Sequence, residues 1–381
     1  MQPHIGLVAG EASGDLLAAS VLAHWQTLDP DQRPRCAGIG GPRMQAQGFE
    51  AWYPSEWLAV HGYAAALKAL PRLLWVRHQL FRRLLAWPAR AFIGVDAPDF
   101  NLGLEARLRA GGVRTYHFVS PSIWAWRRER IEKIRKAVDH MLLVFPFEVE
   151  IYREAGISAT YCGHPLADQI PFQVDQAAAR VQLGLPADAT VIALMPGSRA
   201  GEIEHLAPVF LQAASQLHQR HPDWHFVLPA AGPERLEQLR TLIEPQYRHL
   251  PLHRVSGQSH VALAACDATL IASGTATLEA ALFKRPMVIA YRMAPLSYHL
   301  MKTKAYQPWF GLPNILAGEF LVPEFIQDAA TPEALAGAIE QQIDDTANRE
   351  RLIGRFQAMH EELACGCADK VASTVMADLM G

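Results

Sequence analysis

Short, mostly apolar runs alternate with amphipathic stretches along this chain, and that alternation leaves few folds open. Ile5 to Ala9, Arg35 to Ile39, Ala91 to Val95, Thr115 to Val119 and Met141 to Phe145 read as strands in the first half, with a shorter one at Gly48 to Tyr53. Val191 to Met195, Trp224 to Leu228, Leu252 to Val255, Ala268 to Ala272 and Met287 to Ala290 do so in the second. Most lead, over a short turn, into a helical pattern such as Leu16 to Trp25, Leu102 to Ala110, Glu129 to Ala137, Leu206 to Arg220, Pro233 to Ile243 or Ser259 to Ala265. Buried strands joined by helices over short connections must run parallel, with helices on both sheet faces. A chain of 381 residues exceeds one typical core, so two such domains are expected. Gly163-His164-Pro165 closes the first, and the helical Gln173 to Leu183, stopped by Gly184-Leu185-Pro186, links it to the second. The expected division is 1–168, 169–352, and a pair of C-terminal helices over 353–381 that cross back to the first domain.

Composition narrows the function. Formal net charge is −3, which does not favour nucleic acid as a partner. The five cysteines are odd in number and mostly set in apolar surroundings, as expected of reduced thiols in a cytoplasmic protein. Cys365-Gly366-Cys367 lacks the spacer of a zinc knuckle and reads as structural. Met1 to Ile5 leads straight into a strand without a basic-then-apolar leader, and no apolar run is long enough to span a bilayer.

In open parallel sheets, ligands bind at the carboxyl ends of strands, so the turns there are the candidates. Leu270-Ile271-Ala272 runs into Ser273-Gly274-Thr275-Ala276, and a helix follows from Thr277. Small residues let the backbone approach a phosphate, and the helix start offers unsatisfied N–H groups. Glu279, one turn in, suits the two hydroxyls of a ribose. A similar turn, Pro196-Gly197-Ser198-Arg199, adds a guanidinium whose planar fork matches a diphosphate. Neither turn is a dinucleotide fingerprint or an ATP-binding loop. Together they favour a nucleoside diphosphate site, against the plainer reading of turn chemistry and a surface ion pair.

The first half carries carboxylates at an equivalent place. Ala91 to Val95 runs into Asp96-Ala97-Pro98-Asp99-Phe100-Asn101, where either acid can serve as general base while the other caps the next helix. Asp99 suits the cap and Asp96, directly off the strand, suits the chemistry. Ser120 to Arg128 brings Trp124, Trp126 and Arg127 to another strand end, fit to line a sugar or lipid phosphate or to pack an interface. From Trp57 to Val95 there is no Asp or Glu, while Lys68, Arg72, Arg77, Arg82 and Arg83 interleave with Leu67, Leu70, Leu73 and Leu74. Pro71 is expected to split this stretch into two helices. They are either core helices with solvated basic faces or an amphipathic surface for an anionic membrane.

These motifs, with Ala9-Gly10-Glu11-Ala12-Ser13-Gly14-Asp15, Gly38-Ile39-Gly40-Gly41-Pro42, Ser120-Pro121-Ser122-Ile123-Trp124-Ala125-Trp126 and Leu312-Pro313-Asn314, carry a resemblance over the whole chain. The chain resembles the lipid-A-disaccharide synthase family of GT-B glycosyltransferases, whose fold sets two doubly wound Rossmann-like domains about a cleft. The resemblance implies transfer of 2,3-diacylglucosamine from UDP to the 6-hydroxyl of 2,3-diacylglucosamine 1-phosphate. UDP-2,3-diacylglucosamine would be the donor, and the products a β-1,6-linked tetraacyl disaccharide 1-phosphate and UDP. It implies a cytoplasmic enzyme of Gram-negative bacteria, peripheral on the inner membrane, needing neither metal nor other cofactor, and it leaves room for a homodimer. Membrane contact would then fall on Leu67, Lys68, Leu70, Arg72, Leu73 and Leu74. Inversion at the sugar requires one general base, for which Asp96 is expected. Ser198, Arg199, Ser273, Gly274, Thr275 and Ala276 would hold the diphosphate, with Arg199 and the N–H groups at 273–275 taking up the leaving charge. Glu279 would hold the ribose, and Asn314 and Gln327 would contact donor sugar or diphosphate. Glu11, Ser13, Asp99, Trp124 and Arg127 form a looser acceptor set, in which Gln327 also belongs. Two other classes stay open: a different GT-B enzyme using UDP-N-acetylglucosamine, such as a peptidoglycan glycosyltransferase or a 2-epimerase, and a UDP-sugar binding protein without catalysis.

Overall fold

The structure is a computed structural model describing residues 2–58, 63–125, 128–244, 246–293 and 306–380, the side chains of 63–67 excepted. The chain divides into one unit of Met1–Asp168 with Leu363–Gly381 and a second of Gln169–Glu362.

In the first unit the strands are β1 (His4–Ala9), β2 (Arg35–Gly40), β3 (Glu50–Pro54), β4 (Ala91–Val95), β5 (Arg114–Phe118), β6 (His140–Leu143) and β7 (Ser158–Tyr161). They form a sheet of order β3-β2-β1-β4-β5-β6-β7, every neighbour parallel. The helices are α1 (Ala12–Gln26), α2 (Pro42–Ala46), α3 (Tyr63–Ala86), α4 (Pro98–Ala110), α5 (Arg130–Ala137), α6 (Glu148–Glu154) and α7 (Pro165–Gln169). One face of the sheet packs Val8, Ile39 and Phe92 against Val76, Leu80 and Leu84 of α3 and Leu104 and Leu108 of α4.

The second unit opens with α8 (Gln176–Leu183). Its strands are β8 (Val191–Met195), β9 (His225–Ala230), β10 (Leu252–Ser256), β11 (Ala268–Ala272), β12 (Met287–Tyr291) and the short β13 (Glu324–Ile326), in the order β10-β9-β8-β11-β12-β13, again parallel. Its helices continue as α9 (Ala200–Arg220), α10 (Pro233–Ile243), α11 (Ser259–Ala265), α12 (Thr275–Leu282), α13 (Leu312–Ala317), α14 (Pro332–Asp344) and α15 (Thr346–Leu363). Leu206, Phe210 and Leu217 of α9 and Leu335 and Ile339 of α14 form its core with Ile192, Phe226, Leu270 and Val288 of the strands.

The last helix, α16 (Cys367–Met380), packs within the first unit. The Trp25 indole N–H donates to the Ala372 carbonyl at 3.4 Å, Arg90 donates to the Leu379 carbonyl at 2.8 Å, and Arg114 pairs with Asp378 at 2.8 Å. The chain returns at Leu363, later than the 353 expected, because α15 is tied to the second unit along its length. Arg355 pairs there with Glu319 at 2.6 Å, and Lys284 meets the ring of His360 at 2.6 Å.

A second correction concerns Pro71. The helix α3 runs through it without a break. Pro71 is exposed, where water can replace the hydrogen bond it removes, and Leu73, Val76, Leu80 and Leu84 anchor the helix on the core.

Candidate active site

Strand order locates the candidate site in each unit. In a doubly wound sheet the order reverses at one pair of strands, and their outgoing turns diverge to opposite faces and leave a crevice. That pair is β1 and β4 in the first unit and β8 and β11 in the second. The turns there are Gly10–Ser13 and Asp96–Ala97, then Gly197–Arg199 and Ser273–Thr275.

In the second unit this crevice is a pocket of about 390 Å³ lined by Gly197, Ser198, Arg199, Ser273, Gly274, Thr275, Ala276 and Glu279 among others. Helix α12 begins at Thr275, earlier than expected, with Gly274 as an N-cap that offers no side chain. The N–H groups of Gly274, Thr275 and Ala276 meet no acceptor among the described residues. Ser273 differs from expectation. Its N–H continues the sheet ladder to the Ala290 carbonyl at 3.1 Å and its hydroxyl donates to the Phe310 carbonyl at 2.8 Å, so neither is offered to a ligand. Glu279 faces the pocket and lies 3.6 Å from His260, whose pKa it raises by hydrogen bonding.

The β8 turn already holds an anion. The Glu202 carboxylate accepts the N–H groups of Ser198 and Arg199 at 3.0 and 3.2 Å and pairs with the Arg199 guanidinium at 2.9 Å. Gly197 permits this closeness: its φ is +115°, and a Cβ there would lie 2.6 Å from Glu202. The Arg199 side chain is 78% exposed.

Two expected ligand contacts are scaffolding instead. Asn314 is fully buried, its amide donating to Val322 and Glu324 and its oxygen accepting from Val322. Glu324 in turn accepts the N–H groups of Phe310 and Gly311 at 2.9 and 2.8 Å, which fixes the segment that Ser273 grips. The Gln327 amide is engaged with both backbone groups of Met293, at 2.8 and 3.0 Å.

In the first unit the corresponding turn is built from strained residues. Asp96 and Ala97 follow β4 with φ of +50° and +45°, and Val119 follows the neighbouring β5 with φ of +74°. Left-handed backbone at non-glycine residues costs about 1–3 kcal/mol each and concentrates at functional sites. The Asp96 N–H donates to the Phe118 carbonyl at 2.8 Å, and its carboxylate has no partner among the described residues. Asp99 was the expected helix cap. It lies in the first turn of α4, but its carboxylate, 82% exposed, pairs with Arg130 at 3.0 Å.

Around this turn Glu11 and Ser13 are exposed at the start of α1. Asp15, to which the sequence reading assigned no role, is 3% exposed and explains why two glycine-rich motifs occur together. Its carboxylate accepts the N–H groups of Gly41, Arg43 and Met44 at 2.8, 3.0 and 3.1 Å, and a Cβ on Gly41 would strike it at 2.7 Å. Trp124 does not line a sugar site: it is 8% exposed, with its indole N–H on Glu148 at 3.1 Å and its ring edge-on to Phe145 and Phe147. Glu148 is buried, and burial pushes its carboxyl up to about 8 against the hydrogen bonds it receives from Phe145, Ser120 and Trp124. Trp126 and Arg127 lie outside the described residues, as does the side chain of Leu67. Of the remaining expected membrane residues, Lys68, Leu70, Arg72 and Leu74 are exposed, together with Trp75. Leu73 is turned to the core, because it shares the face of Val76 and Leu80.

Comparisons with known proteins agree with this architecture. The family model described as lipid-A-disaccharide synthetase matches residues 5–375. Lipid-A-disaccharide synthase of Verminephrobacter eiseniae is 55% identical over 366 residues, covering 94% of this chain and 93% of the relative. That of Thiobacillus denitrificans is 52% identical over 371 residues, covering 97% and 98%. Among solved structures, a UDP-GlcNAc 2-epimerase from Neisseria meningitidis bound to UDP-GlcNAc superimposes with a TM-score of 0.65 at 11% identity, covering 99% of this chain and 100% of that one. The glycotransferase of kitacinnamycin does so at 0.63 and 16%, covering 98% of each. The structural likenesses carry the GT-B fold alone, whereas the family match spans both units and every turn described above. The chain therefore belongs to the lipid-A-disaccharide synthetase family and is a glycosyltransferase of lipid A disaccharide formation.

Proposed function

We propose that this enzyme transfers 2,3-diacylglucosamine from UDP to the 6-hydroxyl of 2,3-diacylglucosamine 1-phosphate by a single inverting displacement. The acceptor oxygen bonds to the sugar C1 as the bond from C1 to the diphosphate oxygen breaks. The hydroxyl proton passes to Asp96, and UDP leaves. The observation that carries this reading is Asp96 itself, a left-handed residue at the switch point whose carboxylate is unpartnered among the described residues. Asp99, its carboxylate engaged by Arg130, is the second candidate.

The leaving charge falls to Arg199 and to the N–H groups of Gly274, Thr275 and Ala276, with Ser198 and Ser273 shaping the turns and Glu279 on the ribose. An exposed ion pair such as Arg199–Glu202 is worth about 0–1 kcal/mol, so a diphosphate recruits the guanidinium at little cost. Asn314 and Gln327 act here as supports of the donor pocket, not as contacts. Glu11 and Ser13 remain on the acceptor side. The reading requires no metal and works equally for one chain or a homodimer.

Both substrates carry acyl chains, and we assign their delivery to α3 lying on the cytoplasmic surface of the inner membrane. Leu70, Leu74 and Trp75 stand 47%, 47% and 52% exposed beside Lys68 and Arg72, with no acidic residue along the helix. Apolar side chains can enter the headgroup boundary while the basic ones meet anionic lipid. No helix among the described residues is long and apolar enough to cross a membrane.

The test supplies both diacyl lipids to purified protein, with and without a chelator, and reads the lipids by mass spectrometry. A tetraacyl disaccharide phosphate that forms only with both lipids present is expected. UDP release from the donor alone, or conversion of UDP-N-acetylglucosamine without acceptor, would overturn the reading.

A further inference from the structure

A buried polar cluster lies directly beneath the Asp96 turn, and the reaction as proposed does not use it. Asn101 of α4 is fully buried. Its Nδ2 donates one hydrogen bond, at 2.8 Å, to the backbone carbonyl of Asp96. Its Oδ1 has no partner among the described residues. A buried amide with an orphaned acceptor is a net liability to the fold, and an apolar residue of similar size would fill this position at less cost. Its one bond falls on a residue whose backbone, with that of Ala97, is held at left-handed φ.

The surroundings keep that bond in place. A Cβ on Gly94, two residues before Asp96, would lie 2.9 and 3.0 Å from the Cβ and Cγ of Asn101 and 2.1 Å from Glu105 Oε1. Only glycine lets both side chains close on the strand there. Glu105 is fixed in turn by His117 of β5, at 2.7 Å and with both side chains fully buried.

We infer that Asn101 is a positioning residue for Asp96: by donating to the Asp96 carbonyl it holds the left-handed Asp96–Ala97 turn that aims the carboxylate. The inference rests on the reading of Asp96 as the base.

Asn101→Leu keeps the branching and heavy-atom count of the side chain and removes the donor. The expected result is a fall in kcat of about tenfold to a hundredfold, as for a misplaced reacting group, with the donor KM within about twofold. Glycine enters left-handed backbone without strain. Ala97→Gly in the Asn101→Leu background is therefore expected to recover kcat at least about threefold, a rescue that plain core filling would not give. A folded Asn101→Leu enzyme with kcat within about twofold of the parent overturns the inference. So does a loss of kcat that Ala97→Gly fails to recover at a temperature where the protein is folded. Should Asn101→Leu not fold, Ala97→Gly alone still tests the premise: a raised melting temperature supports a strained turn, and an unchanged or lowered one overturns it. Asp96→Asn measured alongside separates the two claims. An inactive Asp96→Asn with an active Asn101→Leu defeats only the positioning role, whereas an active Asp96→Asn defeats the base.

Discussion

The two switch points occupy the same topological place and are built by opposite means. In the second unit the turns are glycine-rich, Gly197 and Gly274, and what they present is backbone N–H. In the first unit the turn is Asp96–Ala97, and what it presents is a side chain in strained backbone. A diphosphate is recognised by donors that any residue carries, so the site is free to choose glycine for its conformational range. A general base has to be a particular side chain, so the backbone accepts left-handed strain to keep it. On the proposed reading, glycine shapes the diphosphate turns of the second unit, and left-handed Asp96 and Ala97 shape the turn of the base in the first.

The largest test of this contrast is Asp96→Asn, which preserves shape and removes the base. Turnover should fall by about two to four orders of magnitude while UDP still binds. Near-full activity would transfer the role to Asp99 and erase the contrast. Arg199→Ala should lower turnover by about 10²–10³ and weaken UDP binding, measurable by calorimetry. If UDP affinity and rate are unchanged, Arg199 leaves the site.

Glu148 sharpens the comparison, because it supports the first unit's loop as a buried acid, with its carboxyl raised to about 8. A raised carboxyl contributes stability that is complete below its ordinary value and is lost as pH rises through the folded value. The parent should therefore lose stability relative to Glu148→Gln between about pH 4.5 and 8, by roughly a few kcal/mol, and run parallel above that range. Melting curves of both proteins that stay parallel over the whole range would show that Glu148 is not buried as an acid. Gly197→Ala should destabilise by about 1–3 kcal/mol through backbone strain and contact with Glu202. An unshifted melting temperature would remove the need for glycine in the binding turn. Smallest in stability is Leu70→Ser with Leu74→Ser and Trp75→Ser. These exposed changes should move stability by under about 0.5 kcal/mol yet release the protein from anionic vesicles in a flotation assay. Retention on the vesicles would place the lipid contact elsewhere.

Where each candidate turn lies relative to its own strand was legible in the residues. Apolar runs marked β4, β8 and β11, and the turns leaving them were the candidates before any coordinates. The side chains misread were those whose partners are distant in sequence. Trp124 is taken by Glu148, Gln327 by Met293 and Ser273 by Phe310, and Asn314 serves a segment that only closes when β13 joins the sheet. A polar side chain near a strand end looks the same in sequence whether it faces ligand or backbone. Pro71 failed differently, since core anchoring of α3 outweighed one missing hydrogen bond.

The amino-acid sequence alone determined the parallel, doubly wound class, the turns at the strand ends and the chemical type of each candidate, because hydrophobic period and turn chemistry are local properties. Tertiary structure decided which of those polar groups remain available. Hydrogen-bond satisfaction is a property of the assembled neighbourhood: Asn314 and Trp124 are buried in the scaffold, the half-buried Gln327 amide is taken up by the Met293 backbone, Asp96 and three N–H groups of the α12 turn are left unpartnered among the described residues, and Asn101 lies beneath the Asp96–Ala97 turn.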